Sequence, residues 1–382
     1  MIVETEKREL VKLSVVIPSH GRVDLLERLL LSLRKSIMNY GLPVEVIIVD
    51  SSPPDQQKTI IDLCQDFGSR YLRGSTNVRE KRNLGIEEAR GEIVLFVDSD
   101  CEVSENALAE HVRMYDESPT DAVLGMTEFA GKETRAWQVV KRTKFIDAFF
   151  FAKTLKGCVD SAPWGTCTNL SVRKEILQKL QGFDTDFPFL LGGDDTELGI
   201  RIVKAGYKIK LNPESVVFHT RETWNSLLSV AKRAFRWGRV DYHVFYRKHK
   251  DKLSISFPKT ITIFLFFLPL SLIEAIMGSP LLAFILPMLW LLTFLFLNSA
   301  IKITVSKERM RNLFFEMLAQ FLHLLFDFGT GLESLRNRDA LVFFKLPFDD
   351  PRQVIVLWKD KTIEMWSATF SVLVVLLLTL VI

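Results

Sequence analysis

The chain has 382 residues, 48% of them hydrophobic, and a formal net charge of +3, too small a surplus to argue for nucleic acid as a partner. Its mean hydropathy of +0.16 hides two halves. Apolar strands alternate with charged segments up to about residue 250, and long apolar runs dominate from Thr260 onward, which fits one globular domain plus a membrane anchor better than two globular domains.

The first predicted strand is Leu13 to Pro18, followed by an amphipathic helix from Asp24 to Met38 with leucines at helical spacing. A second strand, Val44 to Asp50, ends in a carboxylate. A helix from about Gln56 to Phe67, a short strand near Ser69 to Leu72 and a basic segment, Asn77 to Ala89, come next. Apolar strands alternating with helices imply parallel pairing and right-handed crossovers, so the expected class is α/β with a Rossmann-like, mostly parallel sheet.

Residues Gly91 to Asp100 read Gly-Glu-Ile-Val-Leu-Phe-Val-Asp-Ser-Asp, a buried strand ending in two carboxylates one residue apart. Side chains at i and i+2 of an extended chain point the same way, so Asp98 and Asp100 are expected to face one spot at the sheet edge where α/β folds place ligands. Two like charges that close call for a cation. A strand running into a polar helix cap is the structural alternative. No Gly-x-Gly-x-x-Gly or Gly-x-x-x-x-Gly-Lys-Ser/Thr cradle is present. Any bound phosphates would therefore be neutralised by a divalent ion on Asp100, with help from Arg79 through Asn83. That basic segment also reads as a solvated helix start.

The four cysteines, Cys64, Cys101, Cys158 and Cys167, have no Cys-x-x-Cys spacing and no neighbouring histidine cluster, so they indicate neither zinc nor a disulfide framework. The charged stretch Met1 to Leu10 lacks the apolar core of a secretory signal, so the globular half is expected in the cytoplasm.

With Val15 to Arg22 (Val-Val-Ile-Pro-Ser-His-Gly-Arg), the Val46 to Asp50 strand, the Arg82-Asn83-Leu84-Gly85-Ile86 to Gly91 run and Asp98-Ser99-Asp100 in this order, the chain resembles the family 2 inverting glycosyltransferases of the GT-A fold. The likeness covers roughly residues 12 to 240. It implies a nucleotide diphosphate-sugar site made by Pro18, Ser19, Arg22, Asp50, Arg82, Asn83 and Asp98. It also implies a Mg²⁺ or Mn²⁺ ion on Asp100, Asp98 and His219. Ser51 replaces the family's second acidic residue, so Asp50 alone inherits the base-contacting role.

Leu191 to Gly199 resembles the family's "GEDxDL" motif, which makes Asp195 the expected general base and Asp194 the reserve. From Leu198 to Val203 the apolar spacing says helix, and a carboxylate-rich start suits its positive end. The stretch from Trp164 to Arg173 is similar to the family's acceptor-side segment. Trp164, Gly165 and Thr166 are therefore acceptor candidates, with small residues allowing close approach.

Residues 223–259 interleave Trp, Phe and Tyr with Lys and Arg, as expected of a basic amphipathic region lying on headgroups. Within it, Arg233 to Gly238 resembles the family's "QxxRW" helix, which implies acceptor contacts from Arg233, Arg236 and Trp237. Arg233 stands where the family has Gln. In the third region, 260–382, crossings are expected at about 260–277, 281–298 and 362–382. The apolar stretch 313–332 lies between two basic loops, so it is expected to be interfacial or re-entrant, with the C-terminus outside.

These expectations describe a cytosolic catalytic domain over 1–222 and a multi-pass membrane enzyme. It would move a sugar from a nucleotide diphosphate to a lipid-linked acceptor: a polyprenyl phosphate, a lipid-linked saccharide or a glycolipid. A processive polysaccharide synthase and a non-catalytic nucleotide-binding membrane scaffold are the alternatives.

Overall fold

The computed structural model describes residues 11–143, 145–148, 161–188, 192–255, 280–306, 312–347 and 366–372, with single helical positions at 269, 272, 273 and 276. The strands are β1 (Leu13–Ser19), β2 (Val44–Asp50), β3 (Arg70–Arg73), β4 (Ile93–Phe96), β5 (Cys101–Val103), β6 (Ala122–Ala130), β7 (Leu170–Arg173), β8 (Ile209–Thr220), β9 (Leu253–Ile255) and β10 (Lys345–Pro347). The helices are α1 (Val23–Tyr40), α2 (Pro54–Asp66), α3 (Val78–Glu88), α4 (Ala107–Glu117), α5 (Arg135–Arg142), α6 (Lys174–Lys179), α7 (Asp194–Lys204), α8 (Leu227–Asp241), α9 (Pro280–Ser306) and α10 (Leu313–Arg336).

Strands β1 to β8 form one sheet in the order β3-β2-β1-β4-β7-β6-β8-β5. Alternate residues of each strand face opposite ways, and both faces are apolar. Leu13, Val15 and Ile17 of β1 pack with Leu26, Leu29 and Leu30 of α1 and Leu108 and Val112 of α4. Val16, between them, packs with Ile86 of α3 and Leu198 and Ile202 of α7. Helices on both faces explain why these strands read as unbroken apolar runs.

The expected α/β class holds, but the sheet is more mixed than expected. Pairs β1/β2, β1/β4, β2/β3 and β6/β8 are parallel, whereas β4/β7, β6/β7 and β5/β8 are antiparallel. Strand β7 runs against β4, so the loop that precedes it, residues 161–169, arrives at the same sheet edge where β1, β2 and β4 end. That edge carries the candidate site.

The chain divides into two compact units: residues 1–133 with 149–223, and residues 134–148 with 224–382. Long-range packing alone assigns α5 to the second unit, and local sequence pattern does not reveal it. Within that unit α8 crosses α10 at Gly238 and Gly329, where backbones touch: an added Cβ at Gly238 would land on the Phe326 carbonyl, and one at Gly329 on the Phe235 carbonyl. Below the crossing, Glu333 accepts from Arg239 Nε at 2.6 Å and Arg336 Nη1 at 3.0 Å.

Two described helices, over Pro287–Val305 and Leu313–Arg336, are long and apolar enough to cross a membrane. Helix α9 runs past the expected end at 298, to Ser306, and α10 is continuous through its polar positions. Two of those polar groups are linked to each other and to α9, Asn298 donating to Gln320 at 2.9 Å and Gln320 to Glu316 at 2.6 Å. Such pairing is what a polar side chain needs in an apolar surround. The expected crossing at 260–277 and most of the one at 362–382 lie outside the described residues.

Candidate active site

Helix α3 supplies the cations that organise the sheet edge. Arg82 is buried and bridges two carboxylates: its Nη2 donates to Asp98 Oδ1 at 2.8 Å, and its Nη1 donates to Asp194 Oδ2. One guanidinium fork thus ties the turn after β4 to the first residue of α7. Arg79, wholly buried, donates to the Gly192 carbonyl at 2.6 Å and lies over the Phe187 ring at 4.5 Å. It holds the turn in which Gly192 (φ 96°) and Gly193 (φ 73°) swing the chain into α7, a conformation that costs glycine little. The α7 N-terminus is therefore set against α3 from two points.

This geometry brings Asp194 and Asp195 to the edge where Asp98 lies. Asp194 is buried in its ion pair with Arg82, whereas Asp195 remains partly exposed. Burial, and then the neighbouring Asp194 charge, push the Asp195 carboxyl up to about 7, with Arg82 pulling the other way. A carboxylate balanced near neutrality is what proton abstraction requires. Trp164, partly exposed, packs against Gly199 of α7, where a Cβ would strike its backbone and Cβ.

The Asp98 and Asp100 carboxylates do not share one face of a strand, as the i, i+2 argument expected. The ladder ends at Phe96, and residues 98 to 101 make a turn closed by Cys101 N donating to Asp98 O at 3.2 Å. Asp98 consequently turns to Arg82. Burial raises its carboxyl above the usual range, and nearby Asp100 adds to the rise. Asp100 turns the other way, accepting from Arg22 Nη1 at 2.9 Å and lying 3.5 Å from His219 Nε2. His219 Nδ1 donates to the Thr220 carbonyl at 2.9 Å.

Among the described residues the donor cluster able to hold a metal ion is Asp100, Cys101 and His219, with ligand atoms all within 4.8 Å of one another. Asp100 and His219 of the expected set are in it together with Cys101, while Asp98 accepts from Arg82. Carboxylate, thiol and imidazole are all metal ligands, so the donor chemistry fits a divalent ion.

Other expected nucleotide contacts have structural occupations. Asp50 is fully buried, its carboxylate accepting from the Ser52 backbone N–H at 3.0 Å and the Ser52 hydroxyl at 2.5 Å. Asn83 gives its amide to the Phe183 carbonyl at 2.8 Å and accepts from the Phe183 N–H at 2.7 Å, so it clamps a loop. Lys81 is buried too, donating to the Ser19 carbonyl at 2.7 Å and Ser51 Oγ at 3.0 Å. It ties the ends of β1 and β2 together, and burial lowers its ammonium to about 8. Pro18 and Ser19 end β1 as buried residues.

On the acceptor side, Gly165 is buried, and a Cβ there would meet Leu170 and Leu124 at 3.1 and 3.2 Å. Its smallness lets these two leucines pack against it. Thr166 remains partly exposed and receives the Asn169 N–H on its carbonyl at 3.2 Å. In the second unit, Arg233 lies over the Trp224 ring at 3.9 Å, and Trp237 stacks on Phe145 with centroids 6.4 Å apart. Arg236 is partly buried, and its Nε has no acceptor among the described residues.

Residues 14–181 match the family described as Glycosyl transferase family 2. The "Probable glycosyltransferase YdaM" of Bacillus subtilis is 25% identical over 340 residues, covering 79% of this chain and 76% of that protein. The "GalNAc(5)-diNAcBac-PP-undecaprenol beta-1,3-glucosyltransferase" of Campylobacter jejuni is 32% identical over 107 residues, 26% of this chain and 32% of that protein. Among solved structures, the mannosyltransferase PcManGT from Pyrobaculum calidifontis in complex with GDP-Man and Mn²⁺ aligns over 86% of this chain and 88% of its own. The identity there is 16% and the TM-score 0.49.

Proposed function

We propose the following for a glycosyltransferase that belongs to family 2: it transfers one sugar from a nucleotide diphosphate-sugar to a lipid-linked acceptor at a membrane, by a single displacement with Asp195 as base. The observation that carries this is the Arg82 bridge, which sets a near-neutral carboxylate at the head of α7 beside the turn that bears Asp98 and Asp100. The lipid acceptor is supported by two helices of membrane-crossing length and by a relative whose name specifies an undecaprenol-diphosphate-linked saccharide.

In this reading Asp195 accepts the proton of the attacking hydroxyl, and Asp194, held by Arg82, keeps the α7 N-terminus in position. Ser19, Arg22 and Asp98 line the donor side, with Pro18, Asp50 and Asn83 shaping the loops behind them. Trp164 and Thr166 serve the acceptor side. Asp100 and His219 would hold a divalent cation. Such an ion, when bound, stabilises charge on the departing nucleoside diphosphate. The membrane topology proposed is three crossings with the catalytic domain cytoplasmic and the C-terminus outside.

A cell-free assay with a panel of sugar nucleotides and native lipid extract tests this when run across pH. The product should gain the mass of one sugar. Because Asp195 must be ionised to accept a proton, the transfer rate should rise about tenfold per pH unit below about pH 7 and level off above it. A ladder of polymer products would refute the single transfer, and a rate flat through that range would remove Asp195 as base.

A further inference from the structure

Cys101 opens β5 directly opposite His219 in the antiparallel β5/β8 pair. Opposed residues of such a pair carry their Cβ atoms about 4.5–5.5 Å apart on one face of the sheet, so thiol and imidazole share a side by construction. Asp100 is fixed to the same strand by the Thr220 N–H, which donates to its carbonyl at 3.0 Å. The His219 Nδ1 hydrogen bond to the Thr220 carbonyl turns Nε2 to the side of Asp100.

A small pocket of about 20 Å³ opens beside Asp100 and Cys101, lined also by Leu25, Ala130, Gly131 and Thr220. Packing accounts for the burial of a small residue such as Cys101. It does not account for a carboxylate, a thiol and an imidazole converging within 4.8 Å. Ligand atoms that share one tetrahedral zinc lie about 3.5 Å apart, so side-chain rotations of about 1 Å would complete the set.

We propose that Cys101 is a third protein ligand beside Asp100 and His219, and that this sulfur, nitrogen and oxygen set makes the ion site select Zn²⁺, Co²⁺ or Cd²⁺ over Mg²⁺. Mg²⁺ demands oxygen ligands in near-octahedral array, whereas thiolate and imidazole favour the softer ions. The sequence hid this because cysteine and histidine are 118 positions apart (219 − 101 = 118) and meet only through strand register. The inference rests on the ion site of the proposed function but adds a ligand to it.

The test is Co²⁺ titration of the full-length protein in detergent after chelator treatment, read by the thiolate-to-cobalt charge-transfer absorption and by calorimetry. One equivalent of Co²⁺ should produce the band in the parent protein. Cys101→Ser and Cys101→Ala should lose the band and bind Co²⁺ at least about tenfold more weakly, and His219→Gln should lose it as well. Thermal melts without metal confirm that each variant is folded. Calorimetric binding without a thiolate band, or a band that persists in both Cys101 variants, would overturn the cysteine ligand while leaving the divalent site standing. No Co²⁺ binding at all would overturn both.

Discussion

Asp195→Asn is expected to keep donor binding and to lose about 10²–10⁴-fold in transfer rate, the range a positioned general base supplies. The substitution preserves shape, and the Asn carbonyl can still accept the Thr196 N–H that Asp195 Oδ1 now accepts at 2.9 Å. What disappears is the basic oxygen. The same change should affect stability in the opposite direction. A carboxyl raised from its ordinary value to about 7 binds its proton more tightly folded than unfolded, so stability is lost as pH climbs from about 4 through about 7. The Asn variant escapes that loss. Its Tm should exceed the parent's at about pH 8 and match it at about pH 4. A variant with turnover within tenfold of the parent would place the base elsewhere.

Arg82→Met should destabilise the protein by about 3–5 kcal/mol, because it removes one partner of a buried ion pair and leaves Asp194 and Asp98 without the guanidinium that bonds both. The lost charge is also one that lowers the Asp195 carboxyl, so remaining activity should show its pH plateau displaced to higher pH. Arg82→Lys should rescue little, since one ammonium cannot span both carboxylates as the planar fork does. The variants are compared by chemical denaturation and by pH-rate profile. A Met variant that unfolds at the parent's midpoint would show that the bridge is not what seats α7.

The alternating elements from β1 to β4 were readable because helix period, strand length and terminal carboxylates all appear within short windows. The head of α7 was less so. Apolar spacing marks it only from Leu198, yet the helix begins at Asp194 because Gly192 and Gly193 take left-handed conformations and Arg79 and Arg82 hold the turn. Strand direction after Asp100 was not legible, since a strand buried on both faces looks the same in either sense, and that is why the sheet proved more mixed than expected. The packing contacts of Asn83 and Gly165 were not legible for a related reason. Their partners, Phe183 and Leu124, are brought near only by the tertiary fold. Which of the acidic and basic residues at that sheet edge pair with one another was set by long-range packing.

The most direct test of the central claim, one displacement assisted by one carboxylate, is the anomeric configuration of the product made from an α-linked nucleotide sugar, read by the anomeric proton coupling. The account predicts a β-linked product from the parent protein and none above background from Asp195→Asn. An α-linked product would require two displacements or a front-face path, and would contradict it.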